Sequence, residues 1–270
     1  MNQFYIITNK TKDKEMEITH RIQAYIEKKG KKCKLATEGG NVPDGTDCIL
    51  VVGGDGTFIR AARELMNYNI PLLGINMGRL GYLTEAEVSN VEESLDKLID
   101  GETEVEERMM LRGSVIGKRE NIALNDIVLT RSGALRLIEF NLYVNGEFLN
   151  TYRADGLIVS TPTGSTAYNI SAGGPIVEPT AEIIVVTPIC SHALNASSIV
   201  LSAKDEVMLE IGKGRDGGTE EACVCFDGEC NLIVSTGDRI VIQKASNTTK
   251  IVKLSKVSFL EILRKKMKGN

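Results

Sequence analysis

The run Cys48-Ile49-Leu50-Val51-Val52-Gly53-Gly54-Asp55-Gly56-Thr57 constrains this chain more than any other. Five apolar residues in a row read as a buried strand. The strand ends abruptly in three glycines around one aspartate, and a helical pattern begins at Thr57. Glycines at a strand end let the backbone approach a ligand more closely than a β-carbon would permit. The helix start offers unpaired N–H groups that suit phosphate. The loop therefore reads as a phosphate cradle with a carboxylate at its centre. A carboxylate beside phosphates is electrostatically costly, so it needs a metal to hold or a proton to take. Both point to phosphoryl transfer. The competing reading is a surface turn, since Asp and Gly dominate turns. A buried-type strand before the loop and an amphipathic helix after it argue against that.

The flanking pattern alternates strand and helix. Phe4 to Thr8 reads as a strand, and Lys14 to Lys29 as a helix with Ile18, Ile22, Tyr25 and Ile26 on one face, ended by Gly30. Thr57 to Asn67 is expected to turn Phe58, Ala61, Ala62, Leu65 and Met66 inward. Pro71 to Ile75 is the next strand, and Val88 to Ile99 the next helix. Such alternation predicts a parallel sheet covered by helices, with ligands at the carboxyl ends of the strands. The Gly53–Thr57 loop and Asn76-Met77-Gly78-Arg79-Leu80-Gly81 both fall at such ends. From about Glu102 short β-rich runs dominate: 112–116, 126–130, 138–144, 198–201, 207–211, 222–226 and 239–243. Asn145-Gly146 is a strong hairpin signal. Ser258 to Lys268 looks helical and is expected to pack back on the first domain. The expected fold is α/β plus all-β: a Rossmann-like domain over 1–103, completed by 252–270, and a β-rich, sandwich-like domain over 104–251.

The 270 residues, 42% of them hydrophobic, suffice for two ordinary domains with sizeable cores. The net charge of −4 argues against a nucleic-acid surface. The basic tail Arg264-Lys265-Lys266-Met267-Lys268 reads as a solvated helix end, because cations favour a helix C-terminus. No stretch approaches the ~20 apolar residues of a membrane span, and no signal peptide is apparent at Met1-Asn2-Gln3-Phe4. Six cysteines are too sparse for a disulfide scaffold, so reduced thiols and a cytoplasmic location are expected. Cys223 and Cys225 fit one strand face; with Cys230 they could hold a metal, but no His or fourth cysteine lies nearby.

The second dense region runs from Thr151 to Pro179. The short apolar strand Leu157–Val159 has polar groups on both sides, and hydroxyls and glycines crowd after it. A loop of this kind can hydrogen-bond a polar ligand through side chains and backbone. Tyr168 could stack on a planar ring. Asn125-Asp126, before a strand, could read the edge of a base, although taken alone the pair is better explained as a simple turn. Asp227-Gly228-Glu229 reads as a hairpin turn. His20 reads as a solvated helix position and His192 as structural. No Ser-His-Asp signature, HExxH or Walker lysine is present, which disfavours nucleophilic hydrolysis and P-loop chemistry.

Taken together, the motifs resemble the bacterial-type NAD kinases from near the start of the chain to near its end. The carrying elements are Gly53-Gly54-Asp55-Gly56-Thr57, Gly74-Ile75-Asn76-Met77-Gly78-Arg79-Leu80-Gly81-Tyr82-Leu83, Leu124-Asn125-Asp126, Asp155-Gly156 through Gly174-Pro175, Pro188-Ile189-Cys190 with His192, and Asp227-Gly228. The first of these is also similar to the loop of diacylglycerol and sphingosine kinases. The stretch from Asp155 to Gly174 makes the resemblance specific.

The resemblance implies a reaction. ATP, or in some members polyphosphate, phosphorylates the 2′-hydroxyl of the adenosine ribose of NAD to give NADP, in an active site between the two domains. It implies homodimers or homotetramers, with the neighbouring subunit close to the NAD site. Asp55 would be the general base, or would orient the hydroxyl or ligate magnesium. Gly53, Gly54, Gly56 and Thr57 would hold phosphate, and Arg60 a phosphate or the NAD pyrophosphate. Asn125 and Asp126 would hold adenine and ribose. Arg136 and Arg153 would supply charge near phosphates, and Asp155 would bind the nicotinamide part. Thr163, Thr166, Ala167, Tyr168, Asn169, Ile170 and Ser171 would line the dinucleotide pocket, with Tyr82 against a ring and Glu229 nearby. A divalent metal, most simply magnesium carried by ATP, would be required, and no dedicated metal cage is legible. Three places depart from the family pattern. Asp126 stands where Glu is usual, Glu229 where Gln is frequent, and Ser191 with Ala196-Ser197-Ser198 replaces residues that are commonly Pro and Arg-Pro. The competing expectations are a lipid kinase, which needs an apolar groove, and a non-catalytic NAD(P) sensor, which has no use for Asp55.

Overall fold

The computed structural model describes residues 1–36, 41–78, 81–132, 137–192, 197–214, 217–254 and 257–267. Arg79, Leu80, Arg136, Ala196 and Lys268, named above, lie outside them. The chain forms two compact units, Met1–Arg108 with Asn247–Asn270, and Met109–Ser246.

The first unit follows the alternation of its sequence. Its elements are β1 (Gln3–Thr8), α1 (Glu17–Lys28), β2 (Lys32–Leu35), β3 (Cys48–Gly53), α2 (Asp55–Leu65), β4 (Leu72–Asn76), β5 (Thr84–Glu87) and α3 (Val91–Asp100). Strands β2, β1, β3 and β4 lie in that order and are parallel, and β5 pairs parallel with β4. Every residue of β3 and of β4 is buried, as expected of central strands in a parallel sheet. Phe4, Ile6, Leu50, Val52, Leu73 and Ile75 from the strands pack with Ile22, Ile26, Leu95 and Leu98 from α1 and α3. From α2, Phe58, Ala61 and Ala62 are buried. Truncating a fully buried Phe58 to Ala would cost about 3–5 kcal/mol. Leu65 and Met66, expected inward, are only partly buried, because the helix gives way to a 3-10 turn at Met66. Helix α1 starts at Glu17 rather than Lys14: Met16 is left-handed, and the Asp13 carboxylate accepts the N–H groups of Ile18 and Thr19.

The second unit is β-rich. It is built from most of β6 (Glu104–Val115) and from β7 (Glu120–Ala123), β8 (Asp126–Arg131), β9 (Ile138–Val144), β10 (Glu147–Ala154), β11 (Gly156–Ser160), the one-turn α4 (Tyr168–Ser171), β12 (Ile183–Ile189), β13 (Ile199–Ser202), β14 (Val207–Ile211), β15 (Glu221–Phe226), β16 (Glu229–Ser235) and the start of β17 (Arg239–Lys253). One antiparallel sheet runs β13-β12-β11-β8-β15-β16. In the other, β10, β9, β14 and β17 are antiparallel neighbours. Leu129, Leu157, Val186 and Phe226 of the first pack with Phe140, Leu142, Leu209 and Ile242 of the second in one core, the sandwich that the sequence predicts.

The chain leaves the first unit within β6 and returns within β17, where Ile251 pairs parallel with Leu72 of β4. Lys253 of β17 forms an ion pair with Glu85 of β5. The last helix, α5 (Phe259–Met267), belongs to the first unit, as expected. Among the described residues no helix is long and apolar enough to cross a membrane.

Candidate active site

Asp55 is the first residue of α2, directly after the extended Gly54. Two backbone donors fix its carboxylate: the Tyr82 N–H donates to Oδ2 at 2.8 Å and the Leu83 N–H to Oδ1 at 3.2 Å. The neighbouring Gly81 makes this possible. A β-carbon there would lie 1.9 Å from Asp55 Oδ1, so no other residue fits without moving the carboxylate. The second glycine-rich strand end is therefore what aims the aspartate of the first. Asn76, at the end of β4, shapes that loop by exchanging hydrogen bonds with the Gly78 backbone.

Other predicted groups of this unit fall as follows. Thr57 is buried, and its hydroxyl accepts from Asn9 Nδ2 at 3.0 Å. Arg60 is exposed on the outer face of α2, 3.9 Å from Glu64. Tyr82 carries the Lys266 ammonium 3.8 Å from its ring centroid. Burial raises the Tyr82 phenol above its ordinary range, and the Asp55 charge adds to the effect. The solvated reading of the basic tail is thus corrected at Lys266: the last turn of α5 points this one cation at Tyr82, while Lys265 pairs with Glu261 at 3.0 Å. Lys12, which sequence reasoning passed over, sits 3.1 Å from where a Gly54 β-carbon would be.

The second unit holds a cavity of about 400 Å³. Asn125, Asp126, Asp227, Gly228, Ala167 and Tyr168 line it together with Val128, Thr130 and Cys225. Leu124-Asn125-Asp126 is clamped from both sides. The Asp227 carboxylate accepts the N–H groups of all three residues, at 2.9, 2.7 and 3.2 Å. Opposite, the Thr161 hydroxyl donates to Leu124 O at 2.7 Å and the Thr161 N–H to Asn125 O at 2.8 Å. Gly164 lies against the same strand entrance; a β-carbon on it would come within 2.1 Å of Asn125 O.

Asp227 and Gly228 have φ of 50° and 82°, so the pair does form the hairpin turn between β15 and β16 that the sequence signals. The carboxylate's second task was not legible there, because Asp-Gly is explained in full by the turn. Burial, with the Asp227 charge next, pushes the Asp126 carboxyl up to about 7. The unfolded chain ionises this group near pH 4. Between those values the folded chain holds the extra proton. This stabilisation is complete below about pH 4 and is lost as the pH rises through 7. Asp126→Asn is therefore expected to remove a fall in stability of a few kcal/mol between pH 4 and 7; chemical denaturation across that range checks it.

The hydroxyl-rich segment behaves differently from the ligand-facing loop that the sequence suggests. Thr161, Thr163 and Ser165 are buried, and Ser165 exchanges hydrogen bonds with the Val177 backbone. Asn169 is fully buried; its amide donates to Ser165 O and Pro175 O and accepts from the Thr187 hydroxyl. Of the predicted pocket residues, Asn125, Asp126, Ala167 and Tyr168 line the cavity, whereas Thr163, Thr166, Asn169, Ile170, Ser171 and Glu229 do not. Arg153 pairs with Glu139 on the β9–β10 pair, and Asp155 with Arg131 at 3.0 Å. Arg131 was missed because nothing in its sequence surroundings distinguishes it from a strand-end cation.

The expectation of reduced thiols is corrected at one pair. A register shift after Val224 sets Cys225 directly opposite Cys230, and the two form a disulfide. Cys223 Sγ is 3.9 Å from Cys225 Sγ, so the three sulfurs do cluster. Among the described residues this is the one group of three metal-capable side chains, and the bridge consumes two of them. Thiol titration of the denatured chain should count four thiols, Cys33, Cys48, Cys190 and Cys223, rising to six after reduction.

An aspartate presented at a glycine-rich strand end, with its carboxylate pinned and ammonium groups beside it, has the layout of a phosphoryl-transfer site. The comparisons with known proteins make this specific. The model of the ATP-NAD kinase N-terminal domain matches residues 8–103, and that of the ATP-NAD kinase C-terminal domain matches residues 124–254. The chain is 47% identical to the NAD kinase of Lachnospira eligens, over 99% of this chain and 100% of that one. It is 48% identical to the NAD kinase of Agathobacter rectalis, over 100% and 99%. Among solved structures, an NAD kinase from Archaeoglobus fulgidus in complex with ATP superposes with a TM-score of 0.76 at 30% identity, covering 94% of each chain. Yeast NADH kinase complexed with NADH superposes with a TM-score of 0.82 at 23% identity, over 100% of this chain and 88% of that one, and supports the fold. The chain belongs to the ATP-NAD kinase family.

Proposed function

We propose that this protein is an NAD kinase that transfers the γ-phosphoryl group of ATP to the 2′-hydroxyl of the adenosine ribose of NAD, with Asp55 as general base. The observation that carries this reading is the Asp55 carboxylate held by the Tyr82 and Leu83 N–H groups against Gly81. A ribose hydroxyl is a weak nucleophile, and a positioned carboxylate both orients it and takes its proton. Each Asp55 oxygen accepts one backbone N–H, which leaves lone pairs on both for the hydroxyl. Gly53, Gly54, Gly56 and Thr57 cradle the donor phosphates. Magnesium would enter with ATP as part of the substrate and neutralise charge on its phosphates. Asp55 fits as a single oxygen ligand, and the phosphates fit as the rest.

The cavity walled by Asn125, Asp126, Ala167 and Tyr168 receives the adenosine half of NAD. The Asp227 clamp is what keeps Asn125 and Asp126 in place. Asp155 and Arg153 serve the dinucleotide further out, and their ion pairs with Arg131 and Glu139 must yield or be shared when it binds. The protein works as a homo-oligomer. Phe148 and Leu149 support this: they are 58% and 47% exposed on the edge strand β10, an apolar edge that soluble proteins ordinarily cover.

The test is turnover of purified protein with NAD, magnesium and either ATP or polyphosphate, with NADP read by a coupled NADP-specific dehydrogenase. NADP formation with ATP supports the proposal. NADP with polyphosphate alone would reassign the donor, and NAD binding without turnover on either donor would make the protein a sensor.

A further inference from the structure

We propose that Lys266, seated on the Tyr82 ring, and Lys12, seated over Gly54, grip the donor phosphates at the Asp55 loop and stand in for the lysine that a Walker loop would supply. This rests on the kinase reading above. The transferred phosphoryl group spreads negative charge over three oxygens, and a protein that moves it needs cations aimed at that charge. The glycine loop has no lysine of its own, and Arg60, the nearest arginine in sequence, faces outward beside Glu64.

Two ammonium groups fill the gap from elsewhere in the same unit. Lys12 comes from the turn after β1, where the Lys12 and Asp13 N–H groups donate to Asn9 O and shape the turn beside Gly54. Lys266 comes from the end of the chain and lies 3.8 Å from the centroid of the Tyr82 ring. The Tyr82 N–H is itself a donor to Asp55, so the ring and the carboxylate are positioned by one residue. A cation over an aromatic face is held without a counter-ion, and its N–H groups stay available for a ligand. Neither lysine forms an ion pair with a described residue, in contrast to Lys265 with Glu261. Burial lowers the Lys266 ammonium from its ordinary range while the Asp55 charge opposes this, which places the two groups within electrostatic reach. A solvated helix end has no need of any of these features.

The deciding experiment is steady-state kinetics of Lys266→Met, Lys266→Arg and Lys12→Met with ATP and NAD varied separately, together with inhibition by inorganic tripolyphosphate. For each Met variant we expect kcat/KM for ATP to fall on the order of tenfold or more and tripolyphosphate to bind several-fold more weakly, with the KM for NAD within about twofold. Lys266→Arg should recover most of the loss, and thermal melts should show the fold intact. An equal rise in KM for ATP and for NAD, or ATP parameters within about twofold of wild type, would overturn the proposal. If the wild type formed NADP from no donor, the kinase reading would fall. Calorimetry with tripolyphosphate would then decide the lysines alone, with retained affinity in the Met variants counting against them.

Discussion

Asp55→Asn is expected to slow NADP formation by about 10²–10⁴-fold, the usual contribution of a positioned general base. The amide keeps the shape of the carboxylate but cannot take a proton from the ribose hydroxyl. It also meets its two backbone donors poorly. Tyr82 and Leu83 both offer N–H groups, and an amide accepts at its oxygen only, so its own NH₂ faces one of them. Some local loosening of roughly 1 kcal/mol should accompany the loss of rate. NAD affinity, set by the cavity of the other unit in this account, should stay within about threefold by calorimetry. A variant that kept most of its rate would remove Asp55 from the chemistry, both as base and as magnesium ligand.

Gly81→Ala is the second large effect and tests position rather than identity. The added methyl group would lie 1.9 Å from Asp55 Oδ1 and 2.5 Å from its Cγ, inside van der Waals contact. Either the carboxylate swings out or the segment carrying the Tyr82 and Leu83 donors shifts. Displacing a reacting group by about 1 Å can cost on the order of 10²-fold in rate, which is the loss expected here. The double variant with Asp55→Asn should be no slower than Asp55→Asn alone, because both changes disable one device. Kinetics of the two singles and the double would show this. Additive losses would mean that Gly81 serves something other than Asp55.

How far the sequence reached depended on whether a residue's neighbours announced its task. β3 and the apolar start of β4 were legible because each is an apolar run leading into a glycine-containing loop, which leaves little choice but a central parallel strand and a ligand loop. β10 was legible only through the Asn145-Gly146 turn: Glu147 to Thr151 are exposed and carry no alternation, and its strand character comes from pairing with β9. The first half of β6 escaped for the same reason, since Glu104 to Glu107 lie largely in solvent.

Asp55, Asn125, Asp126 and Tyr168 stand out in the sequence through local pattern and resemblance. The tasks of the groups that hold or surround them do not. Asp227 looked complete as a turn residue, and Lys266 as a surface cation, until tertiary contacts gave the one three N–H donors and the other an aromatic ring. The hydroxyls of Thr161 to Ser165 misled in the opposite direction. Their density looked like ligand recognition, but burial turns them to Leu124 O, Gly164 N–H and the Val177 backbone. A polar side chain reports only that it needs a partner; whether that partner is ligand or protein is decided by long-range packing.

The most direct measurement of the central claim follows the label from ATP radiolabelled at its γ-phosphoryl, incubated with NAD, magnesium and the purified protein. Label is expected to enter NAD as a phosphomonoester on the 2′-oxygen of the adenosine ribose, in a product that an NADP-specific dehydrogenase accepts. Label transferred to another acceptor, or to another hydroxyl of NAD, would contradict it.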